Sequence, residues 1–189
     1  MVLINLVSVF YLMIIIFGII GAMRGWAKEI LATFSVILAM FVISVLENLV
    51  PFIKEALSAS SPAIHFWVRA TILVCLSFFG YQSPTMPQFA NKTKGERIQD
   101  RLLGLILGMV NGYLIAGAFW FYLDQAGYPF NTVFFSPAAG DCLAKCVPQV
   151  MDQVQWDNLI ANLPPAKLAG PALYIAVAIA FIFIVIVFI

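Results

Sequence analysis

Apolar residues along this chain come in blocks of about twenty, broken by short polar or charged punctuation. An α-helix needs about 20 mainly apolar residues to cross a bilayer. Five blocks reach or approach that length: residues 2–22, 27–46, 63–81, 102–123 and 171–189. The pattern predicts an all-α integral membrane protein with about five transmembrane helices. Residues 1–123 form a four-helix transmembrane unit in this reading. Residues 124–170 form an external loop with short surface helices, and residues 171–189 an additional transmembrane helix. The opening "MVLINLVSVFYLM" has no basic leader or small-residue cleavage site, so it reads as a retained span.

The first two blocks are separated only by "MRGWAKE", which predicts an antiparallel hairpin packed side by side. Basic residues then set the orientation. Arg24, Lys28, Lys92, Lys94, Arg97 and Arg101 fall in two connections on one side, with the acids Glu29, Glu96 and Asp100. The other side carries Lys54, Arg69, Lys145 and Lys167 against six acids. The basic side is the cytoplasmic one by this rule, which places the N-terminus outside and the C-terminus inside. Trp26 and Tyr81 mark the inner boundary; Phe66, Trp67, Trp120, Tyr122 and Tyr174 mark the outer one.

Composition sharpens the class. The chain is 63% hydrophobic and 10% charged, with mean hydropathy +1.01. A typical soluble domain is about 25% charged, so this chain has too little polar surface to cover its apolar residues in water. A net charge of +1 offers no bulk attraction to nucleic acid. Cys75 lies in an apolar run and reads as a small packing residue. Cys142 and Cys146 are spaced C-x-x-x-C, without the second pair a zinc site needs. A disulfide between them would require an oxidising compartment.

Glycine recurs every fourth residue within the fourth block: Gly104, Gly108 and Gly112, with Ala116 continuing the series. Lipid tails are as apolar as leucine, so helices associate in bilayers through close contact, and small residues let two backbones approach. Gly18, Gly21, Ala22 and Gly25 give the first hairpin a matching small surface. These faces are expected to meet one another or a helix from a partner.

The segments "RGWAKEI" (residues 24–30) and "DRLLGLILGMVNG" (residues 100–112) together resemble the colicin V production protein (CvpA) family. Arg24, Gly25, Lys28, Glu29, Asp100, Arg101, Gly104, Gly108 and Gly112 occupy the positions that carry the resemblance. It implies a small multi-pass protein of the bacterial inner membrane with about four spans. Asn111 departs from the basic residue many relatives carry there, and the last block has no clear counterpart. The family name records a phenotype in toxin production and specifies no chemistry.

At the inner boundary, Asp100 and Arg101 are expected to pair with Arg24, Lys28 and Glu29 as half-buried locks between the hairpin and the fourth span. His65 and Arg69 lie one turn apart and read as interfacial anchors, with Glu47 or Glu55 as counter-charge. The alternative for His65 is an axial ligand to a haem or chlorophyll-type pigment. Asn111 is the most polar residue deep in a span and is expected to hydrogen-bond across helices. No span carries an ionisable group near its middle, and the motifs H-E-x-x-H and G-x-S-x-G are absent.

The sequence thus points to a non-enzymatic accessory or scaffold subunit of a larger membrane complex. Its expected partners are the lipid bilayer and other membrane-protein subunits, with no cofactor, metal or nucleic acid. A pore or export component is the alternative that the family's toxin link implies. A pigment- or quinone-associated helper is the third.

Overall fold

The computed structural model describes residues 6–82, 97–127 and 158–188, and every regular element among them is a helix. The elements are α1 (Leu6–Arg24), α2 (Trp26–Leu49), α3 (Pro51–Ser58), α4 (Pro62–Tyr81), α5 (Arg97–Gln125), the single turn α6 (Pro164–Lys167) and α7 (Pro171–Phe188). Cys142, Cys146 and most of the expected external loop lie outside the described residues.

Among the described residues, three helices are long and apolar enough to cross a membrane: Trp26–Leu49, Pro62–Tyr81 and Ile98–Gln125. Val9–Arg24 and Pro171–Ile186 are apolar but shorter. Proline opens α3, α4, α6 and α7, where its missing N–H costs nothing. α3, at eight residues, is too short to register as an apolar block in the sequence.

Helix α5 is central. α2 and α4 pack on it and on each other, around Val36, Ala39, Met40, Ile43, Phe66, Ala70, Leu73, Leu114, Ala118 and Tyr122. Buried positions of α2 recur at Glu29, Ala32, Val36, Met40 and Ile43, a single stripe at helical spacing. α4 runs antiparallel to α2, with Gly80 beside Ser35 at one end and Arg69 beside Glu47 at the other. α7 also runs antiparallel to α2, through edge-to-face pairs Phe41–Tyr174 and Phe34–Phe183.

The hairpin expectation needs correcting. α1 and α2 follow each other directly, yet α1 packs chiefly along α5 and only lightly on α2. The physical reason is the small-residue surface on α1 and α5, which permits a closer approach than α2 offers. Cys75 also differs from expectation. It is exposed on the outside of α4 and fills no gap between helices.

Candidate functional site: a buried carboxylate beside a glycine seam

Helices α1 and α5 cross antiparallel with their backbones in contact. A Cβ added at Gly108 would sit 2.9 Å from Gly21 Cα and 3.1 Å from Gly18 Cα. One added at Gly21 would fall 2.7 Å from Gly108 Cα, and one at Gly112 would fall 3.0 Å from Ile14 Cα. Gly104 faces the carbonyl groups of Gly21 and Gly25. These neighbours are backbone atoms, which cannot swing aside. Ala22 and Ala116 are half-buried. The bare edge of α5 is thus covered from within the chain and is not open to a partner.

At the end of this seam the chain turns from α1 into α2 through one residue. Gly25 has φ 85° and ψ 157°, a region only glycine occupies readily. Its N–H continues the α1 ladder to Gly21 O at 2.9 Å, while its carbonyl begins α2 by accepting from Glu29 N at 3.3 Å. Asp100 supplies a cap from another helix: its Oδ1 accepts from Trp26 N at 3.2 Å. A carboxylate at a helix N-terminus satisfies an orphan donor and complements the helix dipole. A Cβ at Gly25 would lie 2.9 Å from both Asp100 oxygens, so the cap also depends on glycine.

Glu29 is fully enclosed, with 0% of its surface exposed. Its Oε1 accepts from Arg24 Nη1 at 2.6 Å. Its Oε2 accepts from Asn111 Nδ2 at 2.8 Å and from the Tyr81 hydroxyl at 3.3 Å. Asn111 Nδ2 also lies 3.0 Å from Glu29 O. Thr33 Oγ1 is 2.7 Å from Asn111 Oδ1 and 2.9 Å from Glu29 O, and its single proton serves one at a time. Arg24 donates to Tyr81 O at 2.7 Å and lies over the Tyr81 ring, 4.4 Å from its centre. Both Glu29 oxygens are therefore occupied, and residues from α1, α2, α4 and α5 converge on one carboxylate.

This arrangement corrects two expectations. Glu29 is not half-buried at a boundary but sealed inside the bundle. Asp100 caps α2 instead of pairing with Arg24. Asn111 hydrogen-bonds across helices as expected, and the structure identifies the partner as Glu29, 82 positions away. Arg101 is exposed and Lys28 half-buried, and neither joins the Arg24–Glu29 pair.

A second clasp fastens the opposite end. Arg69 Nε and Nη2 hold the two oxygens of Glu47 at 2.5 and 3.1 Å, and Nη1 donates to Gln125 Oε1 at 2.5 Å. Its guanidinium lies 5.4 Å from the centre of the Tyr122 ring. Glu47, one of the two acids expected beside Arg69, is the one in this contact. His65 is half-buried one turn away.

Glu29 and Glu47 stand 18 positions apart on α2, five full turns and about 27 Å along the axis. They therefore share one face of the helix, at nearly the separation of the two faces of a bilayer's hydrocarbon core, about 30 Å. Sequence reasoning found both residues but missed their common face, although a spacing of 18 was there to be read.

Among the described residues no three His, Cys, Asp or Glu side chains gather as a metal site would require. The arrangement can bind helices together and hold charge in an apolar setting.

The sequence pattern of the family described as colicin V production protein matches residues 8–139. No curated protein and no solved structure matches the chain. The match covers more than half of the sequence and both segments that build the Glu29 site. The chain belongs to the colicin V production protein family.

Proposed function

We propose that this member of the colicin V production protein family is a non-enzymatic accessory or scaffold subunit of a larger complex in the bacterial inner membrane. In this reading about five helices span the bilayer, with the N-terminus outside and the C-terminus inside. The 1–123 unit is the body of the bundle, residues 158–170 enter it from the outer end, and the last helix is an addition to it. The complex is one that serves the making or release of a colicin-type toxin.

The observation that carries the proposal is the enclosure of Glu29, with hydrogen bonds to both of its oxygens. A carboxylate sealed from solvent, with both oxygens occupied, acts as a fastener. An acid or base that works on a substrate must lie within hydrogen-bond reach of it, and nothing outside the bundle reaches Glu29. The glycine seam is likewise spent inside the chain, on joining α1 to α5. Partner contact then falls to outward faces. The clearest is α7, which follows the family-matched segment, rests mainly on α2 and turns Ile175, Ile179, Phe181 and Ile182 outward.

Purification from native membranes in a mild detergent, followed by native mass spectrometry, tests this. A companion in fixed stoichiometry is expected, and it should be lost when the chain is truncated after Gly170. Recovery of the chain alone, or only as copies of itself, would overturn the proposal.

A further inference from the structure

The segment that leads into α7 does not lie over the helix ends. Leu163 and Pro164 are buried against α5 at Gly117, where a Cβ would meet Pro164 Cγ at 3.1 Å. The Tyr113 hydroxyl donates to Asn162 O. Gln125, on the same helix, is bonded to the Arg69 clasp. Gly117 is eight residues short of Gln125, about 12 Å further into the bundle at 1.5 Å per residue. The chain then climbs to Pro171, turns at Gly170 with φ 61°, and descends as α7.

At that depth lipid cannot satisfy polar groups, and irregular backbone persists only where protein or water covers it. Part of the requirement is met internally. Asn162 Nδ2 donates to Asn158 O at 2.7 Å, and Pro164 and Pro165 have no N–H to satisfy. The rest is not apolar. Asn158, Asn162 and Lys167 are all exposed. An amide has up to four hydrogen-bonding positions and an ammonium three, so this exposed side requires water.

We infer that residues 158–168 line a water-filled recess sunk into the leaflet at the Arg69 end of the bundle. The recess places amide groups at the depth of Tyr113 and Gly117 on α5.

The test uses single cysteines in the full chain, with Cys75, Cys142 and Cys146 replaced, reconstituted in sealed phospholipid vesicles. Asn158→Cys and Asn162→Cys are treated with a membrane-impermeant maleimide. Lys54→Cys marks the same end of the bundle in water, and Ile179→Cys marks a lipid-facing site; both parent side chains are exposed. Gel filtration in detergent confirms that each variant is folded. Asn162→Cys and Asn158→Cys should label from the same side as Lys54→Cys and within about tenfold of its rate. Both reacting as slowly as Ile179→Cys would overturn the recess. Labelling of all three from the inner side would leave the recess standing and overturn the proposed orientation instead.

Discussion

The two ends of the bundle use the same parts under different conditions. Each has an arginine that bonds a glutamate of α2 and lies over a tyrosine ring: Arg24 with Glu29 and Tyr81, Arg69 with Glu47 and Tyr122. The difference is water. Glu29 has no exposed surface, whereas a quarter of the Glu47 side chain is exposed. The arginines are alike, at 19% and 16%. At the first end Asn111 and the Tyr81 hydroxyl supply the hydrogen bonds water would otherwise give; at the second, Gln125 bonds the arginine and solvent reaches the rest. Loss of a partner deep inside leaves an uncompensated charge, while loss at a wet boundary leaves one that water can receive.

The sharpest way to break the comparison is to part the helices that enclose Glu29. Gly108→Leu drives a side chain into the backbone of α1 at Gly18 and Gly21. It should cost more than about 3 kcal/mol, and should remove most monodisperse protein from a mild-detergent extract. Leu105→Ile, on the same helix, should leave the yield unchanged. If both variants extract equally well, the close approach is not what holds α1 in place.

Next in size is the direct contrast. Glu29→Ala leaves Arg24 unpaired and should destabilise by about 3–5 kcal/mol. Glu47→Ala, at the wetter end, should cost about 1–2 kcal/mol. Equilibrium unfolding in mixed micelles measures both, and equal costs would show that the ends do not differ in burial as described. A smaller effect is expected at the cap. Asp100→Ala removes the acceptor for Trp26 N–H and should cost about 1 kcal/mol, with Asp100→Asn recovering most of it. The smallest is Tyr81→Phe, which deletes a 3.3 Å bond to Glu29 but keeps the ring under Arg24. About 0.6 kcal/mol is expected. A loss as large as that of Glu29→Ala would mean that the hydroxyl, not Asn111, is the main support of the carboxylate.

Much of the site was legible at single positions. Gly25, Asp100 and the spaced glycines stand out because each departs from what a plain apolar helix would use. Their roles were less legible. Asp100 and Arg24 carry opposite charges in connections on the same side, so pairing is the natural expectation. The structure instead gives Asp100 to a backbone N–H and Arg24 to Glu29. The choice turns on a single-residue corner at Gly25, whose geometry has no signature beyond the glycine itself. Gly117 escaped notice because it lies off the four-residue series, and its neighbour Pro164 comes from a segment far along the chain.

By itself the sequence determined that this protein is built of helices suited to a bilayer, where each block is punctuated, and which positions carry no side-chain bulk. These are properties of local periodicity and composition, and each can be read within one helix. Only the tertiary structure decided that α5, not a partner or α2, carries α1, and that a glutamate near the start of α2 is shut away with an asparagine from another helix. Those outcomes depend on crossing angle and register between distant segments. Several pairings of apolar helices bury similar area, and it is the few places where backbones touch or a charge finds its partner that separate one pairing from the next.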